Sequence, residues 1–411
     1  MQQLKKIAMV GGAIALAACW PLAVGQIGQK LVHNGIQDMQ MQGYSAELIS
    51  YKRGYLSSVA VTHYAISDPV TKQRLEQDGL PTEISLKHKI RHSLFSINTE
   101  TVPVSDADIP AVLHTTTQLN GNTEFTLFVD TINHTNDDGS LIEVASSEMK
   151  GHVSVSGQVD FILDVPSVNL GFVNGEALQI HEIKGSGDGI KEDGFLLGSH
   201  QFMLKNITLT GADNVALFQG SDISYQIRSQ KNKQNERIDS RHILQGSQFI
   251  TAGEHVDKAL IDFTWGDLDI KTMQALTEQN EDDPASLSAS ADAFFNKGFY
   301  FAVNDMQISV GDGGLFDTRW RLTLPEGVAN ITADMSKILP VLEGNLSTFI
   351  SGEMLVRYPY FKPGLDELIM MEMAKETEKG IQINAEIKQG NVEFEGGAKV
   401  PLFSLLLPVF L

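Results

Sequence analysis

The sequence predicts a mainly β protein: a β-rich α+β chain in which an N-terminal membrane helix precedes extended, twisted antiparallel sheets and a few covering helices. Three observations support this fold class. A run of 19 uncharged residues lies near the start, apolar and polar residues alternate after residue 45, and helical signals are few. With 411 residues, of which 42 % are hydrophobic, the chain is long enough to bury a substantial core.

The N-terminal segment predicts a membrane anchor. Lys5 and Lys6 precede the uncharged residues 7–25. As a helix, this segment would span about 29 Å, close to the ~30 Å hydrocarbon core of a bilayer. Because basic residues stay on the cytoplasmic side, this order predicts that the rest of the chain lies outside the cytoplasm.

The same segment allows a second interpretation. Residues 16–19 (LAAC) have the form of a bacterial lipoprotein signal, in which Cys19, the single cysteine of the chain, would be acylated after cleavage. Apolar residues continue past Cys19 to Val24, and Trp20 suits the outer interface of an uncleaved helix. The sequence favours the uncleaved anchor and keeps the lipoprotein as the alternative; a soluble cytoplasmic protein is the third interpretation.

Changes in pattern divide the chain into five predicted segments. They are an anchor or signal segment (1–28), a juxtamembrane helix (29–43), a β-rich domain (44–270), a helical connector (271–298) and a C-terminal α+β region (299–411).

Alternation with a period of two predicts antiparallel strands that have one apolar and one polar face. The apolar positions are found in the run Val153–Val165, in Phe125, Leu127 and Val129, in Ile223, Tyr225 and Ile227, in Ile261, Phe263 and Trp265, in Met306, Ile308 and Val310, in Trp320, Leu322 and Leu324, and in Ile381, Ile383, Ala385 and Ile387. Asn-Gly and Asp-Gly pairs between such runs predict tight turns.

Helical patterns occur at residues 272–279, 285–296 and 364–379. The third is the strongest, because acidic residues lie in its first turn, Lys379 lies at its end, and Gly380 follows. Its apolar residues, Leu365, Leu368, Ile369 and Met373, share one face that should pack on a sheet.

The sequence shows no recognisable catalytic or cofactor motif. His88 and His92 share one side of a predicted strand, but no carboxylate or cysteine stands at ligand spacing beside them. The acidic segments 136–139 and 187–189 lack the alternating ligands of a calcium loop, so we interpret both as hairpin tips. We therefore predict no catalytic residue, no metal site and no cofactor.

Charge narrows the class of partner. There are 31 basic and 51 acidic residues, which gives a net charge of −20. A surface this acidic repels phosphate backbones and argues against a nucleic-acid partner. The exceptions are Lys87, Lys89 and Arg91, which we predict as a possible contact with anionic lipid headgroups.

Residues 44–58 (YSAELISYKRGYLSS) resemble the start of the exported part of the bacterial YdgA-like family of unknown function (DUF945). In that pattern a strand ends in Tyr-x-Arg-Gly, and a Ser follows before a second strand. The matching residues here are Tyr51, Arg53, Gly54 and Ser57.

The resemblance extends to the Trp-containing apolar segment and to a late helix before the last strands. The family's His-Gly-Pro turn is replaced here by His92-Ser93-Leu94. The resemblance implies an envelope protein of Gram-negative bacteria, anchored in the inner membrane and facing the periplasm. It implies no catalytic residues.

These observations predict a non-catalytic, single-pass inner-membrane protein whose bulk lies in the periplasm and whose amphipathic sheet binds lipid or an envelope partner. In the alternative, the apolar sheet faces close against each other and the protein is a scaffold without a ligand. A hydrolase that uses scattered carboxylates is the least favoured hypothesis.

Overall fold

The computed structural model describes residues 44–53, 57–77, 82–93, 96–104, 110–136, 138–192, 195–232, 235–251, 253–277 and 284–404. The predicted anchor, the juxtamembrane helix and Cys19 therefore lie outside the described residues. Within these ranges, no helix combines the length and the apolar character needed to cross a membrane. The chain divides into two compact units, residues 1–190 and 191–411, whereas the sequence placed the limits of the β-rich domain at 44 and 270.

The first unit is built on antiparallel strands. They are β1 (Tyr44–Arg53), β2 (Ser57–Ile66), β3 (Glu83–His92), β4 (Ser96–Pro103), β5 (Ala111–Gln118), β6 (Thr123–Val129), β7 (Ile132–Thr135), β8 (Leu141–Val144), β9 (Ser147–Val153), β10 (Gln158–Gly171) and β11 (Ala177–Glu192). Strands β1 to β6 pair in chain order, β6 pairs with β9, and β10 lies between β9 and β11. The β7–β8 hairpin pairs with the last residues of β10.

One face of the first unit is a closed apolar core. The cluster includes Ala46 on β1, Tyr64 on β2, Leu86 on β3, Leu113 on β5 and Leu127 on β6, each almost completely buried. Directly paired residues of antiparallel strands point to the same side, so the alternation seen in the sequence places them together. This face is therefore not available to a large apolar ligand.

Buried histidine and threonine side chains lie on the same face of the first unit. His88 is 2 % exposed, and its Nε2 lies 2.8 Å from Thr62 Oγ1 while its Nδ1 lies 2.8 Å from Thr101 Oγ1. Nearby in the sequence of strands, the buried hydroxyls Thr117 Oγ1 on β5 and Thr123 Oγ1 on β6 lie 3.0 Å apart. Burial lowers the pKa of His88 to about 4, so the imidazole is neutral and uses one nitrogen as donor and the other as acceptor.

The second unit contains a meander of long antiparallel strands. They are β12 (Phe195–Thr210), β13 (Ala216–Lys231), β14 (Ile238–Thr251), β15 (Glu254–Leu268), β16 (Phe299–Val310), β17 (Gly314–Leu324), β18 (Glu343–Ser351), β19 (Lys375–Thr377), β20 (Gly380–Lys388), β21 (Asn391–Phe394) and β22 (Lys399–Pro401). Strands β12 to β18 pair in chain order. β20 pairs with β18 on one edge and with β19 and β21 on the other, and β22 pairs with β21.

Helices cover parts of these sheets. They are α1 (Pro69–Gln77) in the first unit and α2 (Ile270–Thr277), α3 (Pro284–Asn296), α4 (Gly352–Arg357) and α5 (Lys362–Met370) in the second. Ile270 and Phe294 from α2 and α3 form a cluster with Leu268 at the end of β15. On α5, Leu365 packs against Ile381, and Leu368 and Ile369 join this cluster as the sequence predicted.

The segment 271–298, predicted as a helical connector, joins two strands that pair with each other. Its two predicted helices are confirmed as α2 and α3, but the strands that flank them, β15 and β16, pair directly, with Trp265 opposite Phe301. The helices are therefore an insertion between neighbouring strands of one sheet. Helical periodicity shows where helices form, but it carries no information about which strands pair around them.

The predicted helix at 364–379 is too long. Helix α5 ends at Met370, a positive φ of 60° at Glu372 turns the chain, and residues 375–377 then form β19. The edge of β20 offers unpaired backbone groups to this segment. That tertiary pairing outweighs the local helical preference.

Two strand assignments from the sequence also need correction. The run 153–165 is interrupted, because Gly157 adopts a φ of 84° in the turn that joins β9 to β10. Residues 187–189 do not form a hairpin tip but lie inside β11, opposite residues 159–161 of β10. Of the other predicted tip, 136–139, Asp137 lies outside the described residues. The N–H of Gly139 donates to the carbonyl of Asn136 and β7 pairs with β8, so the described residues of this segment form the predicted turn.

Candidate functional site: an open aromatic face

The central strands of the second unit bring apolar side chains to one face. His242 on β14 lies opposite Phe263 on β15, Phe263 lies opposite Val303 on β16, and Val303 lies opposite Trp320 on β17. Because directly paired residues point to the same side, these strands form one continuous surface. The alternating positions predicted in β13, β15 and β17 supply much of it.

Six rings run across this surface, and we call them the aromatic face: Tyr225, His242, Phe263, Trp265, Phe301 and Trp320. The centroids of His242 and Phe263 are 4.7 Å apart and the rings are nearly parallel. The ring centroid of Phe301 lies 5.6 Å from that of Phe263, 5.3 Å from that of Trp265 and 5.3 Å from that of Trp320. Separations of this size are those of favourable aromatic pairs, so the rings support one another across five strands.

The aromatic face is open to solvent at its centre. Helix α3 covers one end of the face, where the ring centroids of Phe294 and Phe299 are 5.1 Å apart. Helix α5 covers the part of the face that β18 and β20 form. Between these covers, Trp265 is 40 % exposed and Leu244 is 41 % exposed. Side chains of this size gain about 1.5–3 kcal/mol each from complete burial, so much of that gain remains for a ligand.

A row of polar groups lies beside the rings on the same face. The Tyr225 hydroxyl is 2.7 Å from His242 Nδ1, His242 Nε2 is 3.0 Å from Ser240 Oγ, and Ser240 Oγ is 2.8 Å from Ser229 Oγ. We call these four residues the polar row. Burial lowers the pKa of His242 and raises the pKa of Tyr225, so both groups are uncharged at neutral pH.

The opposite face of the same strands is polar and charged. Arg241 Nε and Asn304 Nδ2 each donate to Asp262 Oδ1 at 2.9 Å. Burial would raise the pKa of Asp262, but these hydrogen bonds and the charge of Arg241 lower it below its usual value. In the described part of the chain, no group of three or more His, Cys, Asp or Glu side chains could hold a metal ion. An apolar ligand therefore has one suitable face on this sheet.

Most of the chain matches a known family. A model of a bacterial protein family of unknown function, DUF945, matches residues 4–309, or roughly three quarters of the sequence. The chain belongs to DUF945. Comparisons with curated proteins and with solved structures gave no match. The DUF945 match includes β13 to β15 and nearly all of β16, which carry five of the six rings of the aromatic face.

The residues that first suggested DUF945 belong to the β1–β2 hairpin of the first unit. Tyr51 pairs with Ala60 and Arg53 pairs with Ser58, which confirms the return strand. Ser57 is the first residue of β2, and Gly54 lies outside the described residues. The pairing gives these residues a place in a hairpin and adds no chemical group to the aromatic face.

The predicted basic residues Lys87, Lys89 and Arg91 are all exposed on β3, on the side opposite to His88. Lys89 Nζ lies 2.6 Å from Glu100 Oε1, and this hydrogen bond lowers the pKa of Glu100. Part of the positive charge is thus balanced within the sheet. Among the described residues, Lys87 and Arg91 form no ion pair, so these two are the better candidates for a headgroup contact.

Reversing these two charges should weaken binding to anionic membranes. For a chain that lacks residues 1–28, K87E/R91E should reduce co-sedimentation with phosphatidylglycerol vesicles by at least tenfold, since each basic residue contributes about 1 kcal/mol near such a surface. K89E should have a smaller effect because its partner is Glu100. K399E, a reversal in the second unit, serves as the control. Equal sedimentation of K87E/R91E and the unsubstituted protein would remove this role.

The sequence patterns predicted Tyr225 as an apolar position but did not reveal Ser229, Ser240 and His242 of the polar row, nor Phe301, the ring that contacts three others. Ser240, His242 and Leu244 alternate, and so do Phe299, Phe301 and Val303, so the signal for both was present. His242 was overlooked because an isolated histidine in a strand has no partner in a linear pattern. Its partners come from β13 and from two residues earlier on β14, which only the strand register reveals.

Proposed function

We propose that this DUF945 chain is a non-catalytic protein of the Gram-negative inner membrane, anchored by its N-terminal segment, whose periplasmic part binds the acyl chain of a lipid on the aromatic face. The observation that carries the proposal is the partly exposed row of six rings, with Trp265 the most exposed, between the covered ends of the second-unit sheet. Soluble proteins seldom leave such a contiguous apolar surface in water without a use for it.

The energetics support reversible binding. A chain of about 12 methylene groups that buries one side gains roughly half of ~0.8 kcal/mol per group, or about 5 kcal/mol. Ordering the ligand offsets part of this gain. Such a balance suits a protein that takes up and releases lipid next to a bilayer, and the uncharged segment at residues 7–25 would keep it there.

The scaffold alternative draws its support from the first unit. There the apolar face is closed by its own residues, as in Leu113 and Leu127, and it offers no comparable surface. If the second unit also served only to contact envelope proteins, crosslinking in cells through exposed positions of the aromatic face would return protein neighbours rather than lipid.

Lipid extraction and mass spectrometry of the purified full chain test the proposal. We expect acyl lipid to co-purify with the unsubstituted protein and to be reduced at least fivefold in L244E/W265E, because two buried carboxylates on the ligand side cost several kcal/mol. Both positions are exposed, so the fold should survive. I162E, at a 60 % exposed residue of the first unit, is the matched control and should retain lipid. Equal lipid content in all three proteins would contradict the proposal.

A further inference from the structure

The polar row contains one more hydrogen-bond donor than it can use internally. Tyr225, Ser229 and Ser240 each carry one O–H, and neutral His242 carries one N–H, so there are four donor hydrogens. Three contacts join these groups, and each contact uses one hydrogen. One hydrogen therefore remains without an acceptor within the row.

Both tautomers of His242 lead to the same result. If Nδ1 accepts from Tyr225, then Nε2–H donates to Ser240, and a serine O–H is left over. If Nδ1–H donates to Tyr225, the serine hydrogens point towards Nε2, and the tyrosine O–H is left over. In either case the remaining donor is a hydroxyl on the aromatic face, and among the described residues the four polar groups hydrogen-bond only to one another.

The surroundings of this donor disfavour a charged ligand group. The four side chains are uncharged, and the ring centroids of His242 and Phe263 are only 4.7 Å apart, so Phe263 covers one side of the imidazole. The one lysine that follows on the same face of β13, Lys231, is already paired with Glu192. A carboxylate placed here would lose its hydration and would have to compete with Glu192 for Lys231. A quaternary ammonium has no acceptor atom for the remaining hydroxyl. An ester, amide or alcohol oxygen can accept the hydrogen and carries no charge.

We propose that the ligand of the aromatic face is a single-chain acyl amphiphile with an uncharged, oxygen-bearing head, such as a glycerol monoester. The head accepts the remaining hydrogen of the polar row, and the hydrocarbon chain lies along the rings towards Phe301 and Trp320. This inference rests on the proposed function, since it names the chemical class that the same face selects.

Three probes with similar ten-carbon chains distinguish the head groups: monocaprin, decanoate and decyltrimethylammonium. Binding to the full chain is followed by tryptophan fluorescence, to which Trp265 and Trp320 of the aromatic face contribute. The salt concentration is 0.15 M, where a Debye length of about 8 Å limits the effect of the net charge of −20. We expect monocaprin to bind about tenfold more tightly than either ion, which corresponds to one net hydrogen bond of about 1–1.5 kcal/mol. The acidic protein attracts decyltrimethylammonium, so tighter binding of monocaprin would be found against the electrostatic preference of the surface.

Replacement of the polar row by apolar groups of similar size should abolish the preference. In Y225F/S229A/S240A/H242F the rings remain, and monocaprin should lose about tenfold in affinity. S347A, which removes an exposed hydroxyl from the opposite face of the sheet, should keep the full preference. Circular dichroism establishes that each variant is folded.

The outcomes separate the two proposals. If no probe binds, the proposed function fails and this inference fails with it. If the three probes bind equally, or if the folded fourfold variant still prefers monocaprin, the inference fails while an acyl-binding face remains. If the fourfold variant does not fold, the order of the three probes on the unsubstituted protein decides alone.

Discussion

Acidification should destabilise the first unit through His88. In the unfolded chain this histidine takes up a proton near pH 6.5, but in the folded protein burial lowers its pKa to about 4. Between these values the unfolded state binds the proton and the folded state does not, so the free energy of unfolding falls as the pH falls. About 2 kcal/mol should be lost by pH 5 and about 3 kcal/mol by pH 4.

The reason for this large effect is the closed environment of the ring. His88 is 2 % exposed and is held between the hydroxyls of Thr62 and Thr101. A neutral imidazole can donate to one threonine and accept from the other. A protonated ring would have to donate to both, and its charge would be removed from bulk water by burial.

Hydrogen exchange of the β3 and β4 amides, corrected for intrinsic rates, measures the stability of this region at each pH. H88Q removes the titrating group while keeping a donor and an acceptor, so its stability between pH 6.5 and 4 should fall about 3 kcal/mol less. H181Q, at an exposed histidine of the same unit, should follow the unsubstituted protein. The interpretation fails if H88Q and the unsubstituted protein lose stability in parallel.

The sequence was sufficient to predict many of the strands and, in these, the side that is apolar. Ile261, Phe263 and Trp265 alternate, as do Trp320, Leu322 and Leu324, and both sets face the same side in the structure. Alternation is a local property of the pleated backbone, so it can be read without knowledge of the partner strand.

Pairing between distant segments could not be predicted in the same way. The apolar faces of the two units look alike in sequence, yet Leu127 is 1 % exposed in the first and Leu244 is 41 % exposed in the second. The difference depends on what packs over each face. The polar row likewise exists only because the register places Ser229 beside Ser240.

Substitution of Gly380 by alanine should strongly destabilise the second unit. The sequence predicted that this glycine ends a helix, but it begins β20 with a φ of 149°, where β18 approaches closely. A Cβ atom at this position would lie 2.1 Å from the carbonyl oxygen of Ile350 and 2.8 Å from Cα of Ser351. Both are backbone atoms of the paired strand, so no change of side-chain rotamer relieves the overlap.

The β18–β20 pairing must therefore shift, which also disturbs the contact of Ile381 with Leu365 on α5. We expect G380A to lower the free energy of unfolding by about 3–5 kcal/mol, in the range of substitutions that disrupt a core or a strained backbone position. Denaturant unfolding followed by tryptophan fluorescence, to which Trp320 on the strand next to β18 contributes, measures this loss.

The matched control is G364A. Gly364 lies inside α5, and a Cβ atom there would meet nothing within 4 Å. Alanine is the better helix former by about 0.5–1 kcal/mol, so this substitution should raise stability slightly. If G380A lowers the free energy of unfolding and G364A raises it, the loss in G380A comes from the close approach of β18 and not from the replacement of a glycine as such. Similar stabilities for G380A and G364A would mean that β18 and β20 do not approach each other as described.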